Sequence, residues 1–157
     1  MAREPAPYTG RQRVILLSKS QEMAMGESAF KEIMSREKIL PVSHPKSKLV
    51  SQVGRELARA SKTDLPWEFI VVDDPSVNAF VLPGGKVVVY SGLFQVLKNH
   101  DSLAAVLGHE VGHALARHAA EKITVSGFLT SLLFLFVPSD FFRIAEMVKK
   151  TSLIYIY

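Results

Sequence analysis

The sequence of 157 residues contains no cysteine. A disulfide framework and a thiolate zinc site are therefore excluded, and any metal ion has to be held by histidine and carboxylate side chains. The chain is too short for two ordinary domains, but its 48% of hydrophobic residues is enough to build one core. Composition alone predicts a single domain in which only nitrogen and oxygen ligands are available to a metal.

Clusters of basic residues interleaved with aromatic ones, which are typical of nucleic-acid-binding surfaces, are also lacking. The net charge is +4, and the basic excess lies at the front, where residues 1–62 carry 12 Lys/Arg against 6 Asp/Glu. These basic residues alternate with glutamates along helix-like segments, which indicates a solvated face or a surface near anionic lipid. We expect no nucleic-acid partner.

Long hydrophobic runs are scarce. No apolar stretch of signal-peptide length precedes Ser18, so we expect a cytosolic chain or a targeting segment that lies outside this sequence. Residues 1–17 are predicted to be a flexible segment, and residues 18–157 a single domain. The most apolar segment, residues 125–137, has no charge but only 13 residues, against the roughly 20 of a membrane-spanning helix. It is predicted to be a buried or interfacial helix.

The front of the domain shows two amphipathic helical patterns, over about residues 18–38 and about residues 45–61. Ser18 and Gln21 have the spacing of a capping box at the start of the first helix. Pro45 stands at a favourable first position of the second helix. Both helices are therefore predicted from start signals as well as from hydrophobic spacing.

Strand signals occur only in the middle of the chain. The β-branched and aromatic run WEFIVVDD is followed by Pro-Ser, which predicts a strand and then a turn. Two further extended runs flank the Pro-Gly-Gly-Lys turn at residues 83–86 in the stretch NAFVLPGGKVVVYSGLF, which predicts a β-hairpin. The predicted fold class is α+β, mostly helical, with a small central antiparallel hairpin or sheet.

Two more helices are predicted after the hairpin. Ser91 can cap a short helix that runs to Leu97, and Asp101 can cap a long helix. The long helix covers DSLAAVLGHEVGHALARHAAEKI and contains the short motif GHEVGHA.

The motif has the spacing of a zinc peptidase site. Four residues turn a helix by about 400°, so His109 and His113 project from nearly one face and can bind one ion. Glu110 is turned about 100° from His109, which places its carboxylate beside the metal. There it can take the proton of a zinc-activated water that attacks a peptide carbonyl. The alternative interpretation is a pair of core histidines.

A catalytic zinc site needs a third protein ligand, and few candidates follow the motif. On a straight helix His118 is turned about 140° from His113, so we expect it to point away from the site. Glu121 lies further along the same predicted helix, so its side chain cannot reach an ion held by the two histidines. Asp140 and Glu146 are the remaining carboxylates downstream, and Glu146 is the preferred candidate.

Three stretches of the chain resemble the HtpX and CAAX-prenyl-protease superfamily of gluzincins. Within it, they are most similar to the Oma-type mitochondrial inner-membrane metallopeptidases and their bacterial envelope relatives. The stretches are TGRQRVILLSKSQEMAMGESAFKEI, NAFVLPGGKVVVYSGLF and LAAVLGHEVGHALARHAAEK, and together they cover most of residues 9–122.

The resemblance implies a zincin-like fold and one zinc ion (Zn2+) per chain, with His109 and His113 as ligands and Glu110 as the catalytic base. It also implies an edge strand that pairs with an extended polypeptide substrate, formed by Asn78, Ala79, Phe80, Val81 and Leu82. The implied substrates are membrane-associated or misfolded proteins. The implied location is the mitochondrial inner membrane, with the bacterial envelope or periplasm as the alternative. The oligomeric state is left open, with a homo-oligomer as one option.

Members of this superfamily continue into a later helix that supplies the third zinc ligand. This chain ends with FFRIAEMVKKTSLIYIY, which lacks that pattern, and Glu146 does not match the ligand position. We therefore expect a C-terminally truncated member. Two functions follow as hypotheses: a zinc metalloendopeptidase, or a catalytically inactive zincin-like fragment that acts only through membrane or partner contacts.

Overall fold

The computed structural model describes residues 3–6 and 9–136. Two compact units divide after Glu121, and every contact discussed below lies within the first unit. The secondary-structure elements follow one another in the order β1 (Arg3–Pro5), β2 (Gln12–Val14), α1 (Lys19–Arg36), α2 (Pro45–Ser61), β3 (Glu68–Val72), β4 (Ala79–Leu82), β5 (Lys86–Tyr90), α3 (His100–Leu115) and α4 (His118–Phe136). The predicted α+β, mostly helical fold class is confirmed.

The two front helices begin as the sequence predicts. The Ser18 hydroxyl accepts from the backbone N–H of Gln21, and the Gln21 side chain accepts from the backbone N–H of Ser18, which completes the capping box of α1. Pro45 is the first residue of α2, and the preceding residue, His44, caps that helix through Nδ1, which accepts from the Lys46 N–H. Both predicted helices are confirmed.

The central sheet has the strand order β3-β5-β4 among the described residues. The predicted hairpin is confirmed, because β4 and β5 are antiparallel and are joined by a turn in which Gly84 and Gly85 have φ values of +86° and +83°. Glycine is suited to both positions because it has no Cβ to clash there. The third strand, β3, runs parallel to β5. The sheet is therefore mixed rather than wholly antiparallel.

The core lies where α2 and α3 pack against the sheet. Gly54 of α2 lies so close to β3 that a Cβ built on it would be 2.4 Å from a ring atom of Phe69. Burying a leucine or valine side chain contributes about 1.5–3 kcal/mol. The central cluster is formed by Val50, Val53, Val71, Val81, Val87, Val89, Leu93, Leu103 and Leu107.

A second, two-stranded sheet lies at the front of the chain, where only a flexible segment was predicted. Strand β1 pairs with β2 in antiparallel register, with Arg3 opposite Val14. Each strand has three residues, which is too short for a hydrophobic period to be visible in the sequence. The prediction that strands occur only in the middle is wrong, whereas the domain boundary after residue 17 stays a prediction.

The starts of the two later helices differ from the predictions. The short helix is a 3-10 helix, Ser91–Gln95, whose N-cap is Tyr90 and which has no side-chain cap. Ser91, the predicted cap, is its first residue, and the Ser91 hydroxyl is bonded to the backbone of Asp74. The cap of α3 is Asn99 rather than Asp101, and its side chain accepts from the N–H of Ser102 at 2.9 Å.

The predicted long helix is interrupted. It ends as α3 at Leu115, and α4 begins at His118 after a turn in which Arg117 has a φ of +53°. That left-handed conformation costs a residue other than glycine about 1–2 kcal/mol. The predicted apolar segment 125–137 is helical as far as Phe136. No helix of the described residues is long and apolar enough to cross a membrane.

Candidate metal centre

The orientation of α3 decides which side chains face the candidate site. Leu103 and Leu107 are fully buried and join the core cluster with residues of α2 and β4. Residues two and six positions after Leu107 fall on another side of the helix. His109 is consequently exposed and His113 is partly buried.

The two motif histidines converge. Their Nε2 atoms lie 2.8 Å apart, and the rings meet edge to face with centroids 4.4 Å apart. Two nitrogens that each lie about 2.1 Å from a tetrahedral zinc ion are about 3.4 Å apart. A side-chain adjustment of less than an ångström would therefore let His109 and His113 share one ion through Nε2. The donor chemistry and the geometry fit two ligands of a zinc site.

Glu110 lies against the sheet rather than on the histidine pair. Its side chain is partly buried, and burial raises the pKa of the Glu110 carboxyl group above its ordinary value. Two smaller effects oppose this rise in pKa: the nearby His109 and a hydrogen bond from the backbone of Val81. The carboxylate is thus held between the histidine pair and β4, and is a stronger base than an exposed glutamate.

Strand β4 lies at one edge of the central sheet. The backbone N–H of Tyr90 donates to the Asn78 carbonyl, so the main-chain groups of Asn78, and by alternation those of Phe80 and Leu82, face β5. The main-chain groups of Ala79 and Val81 then face outward, where Val81 meets Glu110. Of the predicted substrate-binding residues 78–82, Ala79 and Val81 therefore present their main-chain groups at the outer edge of the sheet.

His118 is not where the straight-helix prediction placed it. Because the chain turns at Arg117, the Nδ1 atom of His118 lies 2.5 Å from Nδ1 of His113. The prediction that His118 points away from the site is wrong. No local signal could have revealed this contact, because the residues around Arg117 are mostly good helix formers and the turn is held by distant side chains.

The third ligand is not found among residues 3–6 and 9–136, where no group of three or more metal-binding side chains comes together. Glu121 contacts Arg11 and Arg13. It lies on α4 rather than on the motif helix, so the single continuous helix on which its exclusion depends is not observed. Asp140 and Glu146 lie outside the described residues.

Comparison with protein-family models decides the assignment. The model described as Peptidase family M48 matches residues 43–156, which include the edge strand, the motif helix and the histidine pair. This chain belongs to peptidase family M48. The predicted superfamily is thereby confirmed.

The sequence of this chain is also similar to those of individual named proteins. The chain is 43% identical to the mitochondrial metalloendopeptidase OMA1 of Schizosaccharomyces pombe, over 87% of this chain and 41% of the relative. It is 34% identical to the human metalloendopeptidase OMA1, mitochondrial, over 85% of this chain and 27% of the relative. It is 32% identical to the β-barrel assembly-enhancing protease of Yersinia pestis, over 78% of this chain and 25% of the relative. The chain therefore spans less than half the length of these relatives.

Proposed function

We propose that this M48 chain is a zinc-dependent metalloendopeptidase in which His109 and His113 hold the ion and Glu110 is the general base. The observation that carries the proposal is the convergence of the two Nε2 atoms beside a partly buried carboxylate. Two core histidines would not need a partly buried carboxylate between them and the edge strand β4. The relatives named as metalloendopeptidases support the same reaction class.

The zinc ion and the side chains of the protein would have different roles in the reaction. A bound zinc ion would supply the positive charge that acidifies a water molecule and polarises a peptide carbonyl. Glu110 accepts the proton of the attacking water and later returns it to the leaving amine. In the metal-free chain, burial raises the pKa of this carboxyl group, which is the direction that favours proton acceptance.

The substrate is an extended polypeptide, and we infer that it pairs with the outer side of β4. The outward main-chain groups of Ala79 and the carbonyl of Val81 would supply its hydrogen bonds, because the Val81 N–H already donates to Glu110. Such hydrogen bonds read the backbone and tolerate many side chains. Because Val81 also contacts Glu110, a strand bound there is brought next to the base. We propose membrane-associated or misfolded proteins as the substrate class.

The location is inferred from the relatives. Metalloendopeptidases named as mitochondrial share 43% and 34% identity with this chain, which supports a mitochondrial location. Within the mitochondrion we propose the inner membrane. The bacterial assembly-enhancing proteases favour the alternative, a cell envelope. Fractionation of cells that express the tagged chain, with and without carbonate extraction, distinguishes membrane-bound from soluble chain in either compartment.

The reaction is tested with the purified chain, by measuring zinc content and cleavage of an unfolded polypeptide such as casein. Glu110→Gln is expected to abolish cleavage while zinc content is retained, because Glu110 is not a ligand. Glu56→Gln, at an exposed glutamate of α2, is the matched control and should keep full activity.

Glu146→Gln is the separate test of the third ligand, because loss of both zinc and cleavage would assign that role to it. A parent chain that binds no zinc and cleaves nothing would overturn the proposal and favour the non-catalytic alternative.

A further inference from the structure

The turn between α3 and α4 is held by side chains from the front of the chain. The Nε atom of Arg117 donates to Glu22 at 2.8 Å, and its Nη1 atom donates to Glu4 Oε2 at 3.0 Å. Next to it, Arg13 donates to the backbone carbonyl of Ala116. Both residues of the turn are therefore anchored by contacts that lie far away in the sequence.

This turn changes the direction of the chain directly after the second motif histidine. A continuous helix would carry His118 about 140° away from His113. The left-handed conformation of Arg117 instead brings the two rings to a centroid distance of 4.8 Å, with an Nδ1 to Nδ1 distance of 2.5 Å. Since Nε2 of His113 faces His109, both nitrogens of the His113 ring are engaged.

The roles of the two nitrogens fix where the protons lie. Nε2 of His113 must be unprotonated to bind a metal ion, so its proton is on Nδ1. That proton can be donated to His118 only if Nδ1 of His118 is unprotonated, which places the His118 proton on its own Nε2. A ligand histidine that donates its other ring N–H in this way has a fixed tautomer and ring orientation.

We propose that His118, held in place by Arg117, is a positioning residue that sets the tautomer and orientation of His113. The proposal rests on the proposed function of His113 as a zinc ligand. It assigns no metal contact to His118, and it explains why a strained turn stands two residues after the end of the motif helix.

The first test needs no metal. Long-range 1H–15N correlation spectra of the full chain, kept metal-free at pH 8, report which nitrogen of each neutral imidazole carries the proton. We expect the Nδ1–H form for His113 and the Nε2–H form for His118. In His118→Ala, His113 should lose its preference for Nδ1–H. His100→Ala is the matched control, because His100 is half-exposed and lies at the far end of α3.

A parent spectrum with His113 in the Nε2–H form, or one that His118→Ala leaves unchanged, would overturn the proposal. This measurement stays decisive even where the chain binds no zinc, an outcome that would defeat the proposed function alone.

The second test measures zinc affinity by competition with a chromophoric chelator. His118→Ala should weaken binding by about 10- to 100-fold, the range found when the outer partner of a ligand is removed. His118→Gln, whose amide oxygen can accept the same proton, should recover part of the loss. Arg117→Ala should weaken binding to a similar extent, because the turn relaxes and carries His118 away.

A variant with both residues replaced tests whether Arg117 acts through His118. If Arg117 acts through His118, replacing both by alanine should weaken zinc binding no more than replacing His118 alone. Losses that multiply would show independent effects and would contradict the proposed link. Circular dichroism of each variant confirms that the comparison is between folded chains.

Discussion

The Nε atom of Arg117 donates to Oε1 of Glu22 across 2.8 Å, and this contact joins α1 to the turn that ends the motif helix. The two side chains are 18% and 11% exposed, so water screens the pair only in part. Removing the Glu22 carboxylate leaves the partly buried Arg117 charge with Glu4 as its remaining carboxylate partner, and a lost partner at a partly buried charge costs more than an exposed pair contributes. The contact is therefore a sensitive point of the fold.

Glu22→Gln is expected to lower the free energy of unfolding by about 1–3 kcal/mol, measured by urea denaturation. The matched control is Glu32→Gln, on the same helix, which removes an exposed pair with Arg36 and should cost less than about 0.5 kcal/mol. Equal losses from the two variants would mean that burial adds nothing to the Glu22 contact.

The cap of the motif helix gives a second prediction. Asn99 accepts from Ser102 N–H, and Ser102 Oγ accepts from Asn99 N–H at 3.1 Å, which forms a reciprocal capping box. Asn99→Ala should lower the free energy of unfolding by about 1 kcal/mol. Asp101→Asn, the matched control at the residue expected from sequence to be the cap, should cost about 0.5 kcal/mol or less. A reversed order of the two losses in thermal or urea unfolding would contradict the observed cap.

Replacing the helical glycines Gly26 and Gly112 by alanine should change the free energy of unfolding in opposite directions. A Cβ on Gly26 of α1 would lie 1.7 Å from the backbone oxygen of Pro83, so Gly26→Ala must push the helix off the hairpin turn. We expect a loss of about 1–3 kcal/mol in unfolding free energy. No described atom lies within 4 Å of a Cβ on Gly112, and Gly112→Ala should stabilise α3 by up to about 1 kcal/mol. A loss at Gly112 of the size expected at Gly26 would contradict the open space found around this glycine.

The raised pKa of Glu110 predicts a pH-dependent stability. Because the pKa of this carboxyl group is higher in the folded chain, its favourable contribution is present below the unfolded-state pKa and is lost as pH rises through the folded-state pKa. At neutral pH the buried carboxylate therefore lowers stability, and Glu110→Gln should raise it. Urea midpoints with a chelator present should differ at pH 7 and converge below the ordinary carboxyl value of 4.5. A difference that grows in acid would reverse the assigned direction of the pKa.

The elements that the sequence predicts well are those with local signals. Ser18 with Gln21 and Pro45 mark the starts of α1 and α2, and the Pro-Gly-Gly turn marks the hairpin. The pairing of β3 with β5 depends on contacts distant in sequence, and only the folded chain shows it to be parallel. The turn at Arg117 is of the same kind, since its partners Glu4 and Glu22 come from the opposite end of the chain. The spacing of His109 and His113 was readable, whereas the contact of His118 was hidden by that turn.

The order of strands in the central sheet has a consequence for synthesis. Its middle strand, β5, is the last of the three in the chain, so neither outer strand has its β5 neighbour until Lys86–Tyr90 has left the ribosome. The outward edge of β4 is thus completed only shortly before the histidine helix is made. Because β5 pairs with both outer strands, the sheet cannot assemble before this strand has been made, and the histidine helix, which follows it in the chain, then packs on a sheet whose strands are all present.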